Sequence, residues 1–178
     1  MARKLDKLNQ PLIDFIQQQK IFFVATAMGQ GSINLSPKGL DSLRIINENR
    51  VVWLNLTGSG NETAAHLSHN DRITIMFCAF DGDPMILRLY GTAKTHGHAS
   101  KFYQDHIEMF PPIKGGRQLV DMHVEMVQTS CGMGVPLMEY KEERQGLVDW
   151  AEKQGDDGLK KYWKTRNSTS LDGHSIEN

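Results

Sequence analysis

The sequence predicts a mainly β fold, an antiparallel sheet of about six strands closed into a small barrel with helices flanking it. Three observations carry that expectation. Short apolar or alternating segments dominate the chain, and hairpin turns join most of them. Strands do not alternate with long helices, which disfavours a doubly wound parallel sheet. The segment 72–80, RITIMFCAF, is apolar on both faces. One face would fill a barrel and the other would be covered by a helix or a second copy of the chain, while closure removes open edges.

Taken in order, residues 4–19 carry Leu5, Leu8, Leu12, Phe15 and Ile16 at helical spacing, with Pro11 starting the better-formed half. Segments 21–27 (IFFVATA) and 32–38 read as a hairpin across the turn Met28-Gly29-Gln30-Gly31. In the second of these, Asn34, Ser36 and Lys38 share one face and Ile33 and Leu35 the other, while Pro37 marks an edge or exit. Residues 41–49 are expected to hold a helical turn. The returning strand 85–96 follows the turn Asp81-Gly82-Asp83-Pro84, with Leu87 and Leu89 opposite Arg88 and Tyr90. Residues 99–107 read as helix and 111–116 as loop. In 119–129, Val120, Met122, Val124 and Met126 alternate with Asp121, His123 and Glu125, a strand with one wet face. Two amphipathic helices, 138–153 and 157–165, precede a polar tail from Asn167 that would be ordered only by contact with something else.

The 178 residues are expected to form a single domain (1–178): an N-terminal helix within 1–20, C-terminal helices within 138–166 and the tail 167–178. Twenty basic residues against 21 acidic ones give no bulk electrostatic case for nucleic acid or an acidic membrane. Cys78 and Cys131 make no disulfide framework or metal spacing, and no run approaches the roughly 20 apolar residues of a membrane span. The expected location is the cytoplasm.

The stretch 51–67, VVWLNLTGSGNETAAHL, organises the rest. It reads as a buried strand, a small polar turn and a short helix capped by Ser59 or Asn61. A loose turn feeding a helix N-terminus offers backbone N–H groups to a phosphate, although it also reads as an ordinary well-capped connection.

The ordered set SINLSPKG (32–39), VVWLNLTGSGNET (51–63), RITIMFCAF, ILRLYGTA (86–93) and TSCGMGVP (129–136) resembles the pyridoxamine 5'-phosphate oxidase-related flavoproteins of the FMN-binding split-barrel type. That resemblance runs from about residue 21 to the last helices. It implies a six-stranded antiparallel split β-barrel and a homodimer with FMN at the subunit interface. A small-molecule electron donor or acceptor would be the other partner. It further implies Lys38 as the lysine ending the flavin-contacting strand, with Asn34 and Ser36 meeting the ring or ribityl chain and Asn55 and Thr57 as polar flavin contacts. Ser59, Asn61, Glu62 and Thr63 would form the phosphate turn. There the oxidases carry an Arg-Lys pair that is Glu62 and Thr63 in this chain, so Lys38 or Arg88 would have to supply the charge.

The oxidases proper also place an arginine and a histidine for pyridoxal substrate on a C-terminal strand, where this chain has helices and a tail. The implied function is therefore an FMN-dependent oxidoreductase of unknown substrate rather than a pyridoxamine phosphate oxidase, the cofactor supplying the chemistry. The alternatives are a flavin-binding or stress protein without turnover, and a barrel binding deazaflavin or haem. Cys131 in its glycine-rich turn, the pair His96 and His98, and the trio Asp121, His123 and Glu125 read more simply as turn, loop and solvated face than as thiol, metal or proton-transfer sites. Trp150 and Trp163 read as helix packing.

Overall fold

The computed structural model describes residues 2–176. Its strands are β1 (Arg3–Leu5), β2 (Phe22–Ala27), β3 (Ile33–Lys38), β4 (Leu43–Asn47), β5 (Arg50–Leu56), β6 (Arg72–Cys78), β7 (Met85–Gly97) and β8 (Gly116–Cys131). The helices are α1 (Gln10–Gln18), α2 (Glu62–Leu67), α3 (Lys101–His106) and α4 (Gly146–Arg166). All strand pairs are antiparallel, in the order β3-β2-β6-β7-β8-β5-β4, with β1 added to β8. The split lies on β8. Its first half pairs with β5 and its second half with β1, while β7 runs along its other side.

The barrel interior is filled by alternate strand residues: Phe22 and Val24, Val51 and Trp53, Ile73, Ile75 and Phe77, Leu87 and Leu89, and Val120, Met122 and Val124. Each aliphatic side chain so buried contributes on the order of 1.5–3 kcal/mol. Leu12 and Ile16 of α1 plug one end, and Pro11 stands in the first turn of that helix as the sequence requires. A smaller cluster of Val52, Leu54, Leu119 and Phe110 lies outside the barrel under α3.

Four local expectations change. Residues 41–49 hold no helical turn: Leu40 and Asp41 take positive φ (59° and 51°), reversing the chain into β4, which pairs with β5. With β1 and β4 present, the described sheet has eight strands rather than six. On β8, Val127 rather than Met126 joins the core, because Tyr90 faces Met126 and Gly91 faces Val124, leaving Glu125 as the extra residue of a bulge. A Cβ at Gly91 would lie 1.9 Å from the His123 carbonyl oxygen, so glycine is required there. The two C-terminal helices meet at a kink at Gly155 (φ 63°), and the first starts at Gly146 rather than at residue 138.

Candidate functional site

The site begins with the alternation of β3. Ile33 and Leu35 point to solvent, 77% and 65% exposed, so Asn34, Ser36 and Lys38 turn toward the protein. Asn34 Nδ2 donates to Thr26 Oγ1 (3.3 Å) and Thr63 Oγ1 (3.2 Å), and Thr26 Oγ1 shares a hydrogen bond with buried His66 Nδ1 (3.1 Å). That chain of polar groups ties β2 and β3 to α2. From β5, buried Asn55 accepts from Lys38 Nζ (3.4 Å) and donates to Asn61 Oδ1 and Gln118 Oε1 (both 3.3 Å).

Together with the turn after β5 these residues line a cavity of about 540 Å³, within the usual range for small-ligand sites. Eight residues singled out from the sequence share it: Asn34, Ser36, Lys38, Asn55, Ser59, Asn61, Glu62 and Thr63. Thr57 lies buried beneath, its hydroxyl donating to Gly115 O (2.7 Å) and accepting from Trp163 Nε1 (2.8 Å). Trp163 thus fastens α4 to the end of β5. Asn61 is the N-cap of α2.

Arg88 is not part of this cavity. It lies on β7, where its guanidinium donates to Ser130 Oγ (3.1 Å) of the neighbouring strand, so it supplies no charge to the turn within this chain. Asp121 is held by a two-pronged ion pair with Arg50 (2.8 Å each), which separates it from exposed His123 and Glu125. His96 stacks on Phe102, and His98 meets Tyr103 and Trp163 while its Nε2 bonds Gly116 O (2.8 Å). Trp150 packs edge-on against Tyr162. Cys78 is buried, which raises its pKa, and Cys131 is exposed.

Several lining residues escaped the sequence reading: Arg117, Arg166, Thr169, Ser170 and Leu171. The tail is ordered by the cavity itself. Fully buried Asn167 donates to Gly58 O and Ser59 O, and accepts from Arg117 Nη1 at 2.6 Å. The Leu171 N–H donates to both Glu62 carboxylate oxygens (3.1 Å). Asp172 accepts from Ser32 N and Oγ, and Ile176 packs on Ala64 and Ala65. The signal for this in the sequence is the apolar Ile176 set in a mostly polar run.

Electrostatically the cavity is a place for an anion. Burial, and then the charge of nearby Arg117, pull the Lys38 ammonium down to about 8. Burial also lowers Arg117 to about 10, leaving it charged at neutral pH. Among the described residues neither cation forms an ion pair.

Residues 8–131 match the family model described as pyridoxamine 5'-phosphate oxidase. The chain is 34% identical to the pyridoxamine 5'-phosphate oxidase family protein ustO of Aspergillus flavus over 186 aligned residues, spanning 94% of this chain and 75% of that relative. Its fold is similar to that of HupZ from Group A Streptococcus (TM-score 0.53, 21% identity, 67% of this chain and 91% of that one). It is similar too to HutZ, the haem storage protein from Vibrio cholerae (TM-score 0.51, 20% identity, 70% and 96%). The family match stops at β8, before α4 and the tail that close the cavity. By the matched span and the 34% identical relative, the chain belongs to the pyridoxamine 5'-phosphate oxidase family.

Proposed function

We propose that this protein is a homodimeric FMN-binding flavoprotein that acts as an oxidoreductase on a small molecule. The observation that carries the reading is the cavity between β3, β5 and the turn before α2, which Lys38 and Arg117 both line and where, among the described residues, neither forms an ion pair. Buried cations without counterions are costly, and an anionic ligand offsets that cost. Amide and hydroxyl groups of Asn34, Ser36 and Asn55 line the same space, the donors and acceptors that a flavin ring edge and ribityl chain require. When bound, FMN would supply hydride or electron transfer, and these residues would orient it and set its electrostatics.

Pyridoxamine phosphate is not the substrate in this reading. In this reading α4 and the tail, which follow β8, take part in lining the cavity. The homodimer is supported by apolar side chains left in solvent. Ile33 and Leu35 stand on the edge strand β3, and Met133 (79%), Leu137 (79%), Met138 (56%) and Tyr140 (52%) follow β8. Such exposure is ordinarily covered by a partner.

The test is an absorbance spectrum of the protein purified without added cofactor, then titration with FMN and screening of reductants. Flavin bands near one per subunit, or submicromolar FMN binding, support the reading, and reduction by a nicotinamide donor with turnover supports the enzyme. Binding without turnover would make it a flavin-binding protein. A Soret band or a deazaflavin spectrum, with indifference to FMN, would replace the cofactor.

A further inference from the structure

The charge that an FMN phosphate needs does not come from the turn in which α2 starts. With six residues, α2 carries little macrodipole, and its first residue, Glu62, is itself an anion facing the cavity. Both oxygens of that carboxylate accept from the Leu171 N–H, which binds the tail to the turn.

Arg117 reaches the cavity by another device. Asn55 pairs with Gln118 and Leu56 with Gly116, so Arg117 is the extra residue of a bulge on β8. A bulge breaks strand alternation and re-aims the side chain it carries. Here it delivers Arg117, a residue only 5% exposed. Its Nη1 donates to Gly60 O (2.9 Å) and Asn167 Oδ1 (2.6 Å), while Nε is buried with no partner. A guanidinium held from one side with a buried donor unused is a fork prepared for an oxyanion. Arg166 and the side chains of Thr169 and Ser170 line the same cavity. Asn167 locks them to the turn through Gly58 and Ser59.

We infer that bulged Arg117 and the segment 166–170 form the phosphate subsite of this cavity, which takes a phosphate monoester, with Glu62 as the anchor of that segment rather than a ligand contact. The inference rests on the FMN reading above and adds which residues hold the phosphate. It assigns a binding role to a part of the chain beyond the family match. It also explains how a chain with Glu62 and Thr63 in the turn still presents a cationic site.

The experiment compares FMN with riboflavin, which lacks the phosphate, by fluorescence titration of the full-length protein and the variants Arg117→Gln, Arg117→Lys and Asn167→Ala. The wild type should bind FMN about 30-fold or more tighter than riboflavin. Arg117→Gln and Asn167→Ala should each remove at least about tenfold of that preference with riboflavin affinity unchanged, and Arg117→Lys should keep part of it. Circular dichroism checks that each variant is folded. If Arg117→Gln is not, Arg117→Lys and Asn167→Ala still decide the matter. Preference for FMN that survives in the folded variants overturns the inference and leaves the flavin reading intact. A wild type that binds neither flavin removes that reading and this inference with it.

Discussion

The two sides of the cavity are built by different means. On the β3 side, Asn34, Ser36 and Lys38 project from a strand at every second residue, and the strand is held by backbone pairing with β2 whatever those side chains are. On the other side, a bulge, a glycine-rich turn and the tail hold one another through side chains: Arg117 and Glu62 are at once lining and fastening, and buried Asn167 fastens Arg117 to the turn. Ligand contact and fold are separable on the first side and inseparable on the second. Replacing Lys38 on β3 should lower affinity without loss of stability, and substitutions around the tail should lower affinity and stability together.

The largest effect is expected from Asn167→Ala. It deletes the clamp on Gly58 and Ser59 and leaves the buried Arg117 guanidinium short of an acceptor, so unfolding free energy should fall by about 2–3 kcal/mol in chemical denaturation. Thr57→Val removes an acceptor from Trp163 Nε1 and a donor from Gly115 O, for a loss of about 1–2 kcal/mol. Lys38→Met should behave in the opposite way: FMN binds about tenfold more weakly, while the ligand-free protein becomes more stable at pH 7 because an unpaired, part-buried cation is gone.

The pH dependence sharpens the same contrast. Lys38 is lowered to about 8 from 10.5, so between those values the unfolded chain binds more protons than the folded one. Stability of the ligand-free protein should therefore rise from pH 8 toward 10.5, and Lys38→Met should flatten that rise. FMN affinity runs the other way at high pH, falling above about 8 as Lys38 loses its proton. It also falls below about pH 6 as the phosphate gains one. The smallest effect separates two roles for Glu62. As the tail's anchor, its replacement in Glu62→Ala should weaken FMN about two- to threefold, although a negative charge has left the cavity. Tighter binding would make Glu62 a simple repulsive charge.

The same division explains what could be read in the sequence. Strand alternation is local, so the two faces of β3 and β7 and the shared face of Asn34, Ser36 and Lys38 were visible in the residue pattern, while Asn55 came from the family resemblance. Arg117 was hidden because a bulge is a mismatch between two strands far apart in sequence, and neither strand alone reports it. The tail read as polar and loosely held because its order comes from contacts more than 100 residues away, Asn167 to Gly58 and Leu171 to Glu62. Arg88 looked like a second cation for the site because a half-buried arginine on an inner strand needs a partner. That partner is Ser130 across the ladder. β4 was missed because its start depends on two non-glycine residues with positive φ, a conformation that leucine rarely signals.

Labour is divided within one proposed FMN cavity, the strands serving the ring and ribityl chain and the bulge with the tail serving the phosphate. A crystal structure of the FMN complex tests it most directly. The expected complex has a phosphate oxygen within about 3 Å of an Arg117 guanidinium nitrogen, the segment 166–171 closed over it, and the flavin running along β3 and β5 past Lys38. A phosphate out of reach of Arg117, or a flavin bound outside this cavity, would contradict it.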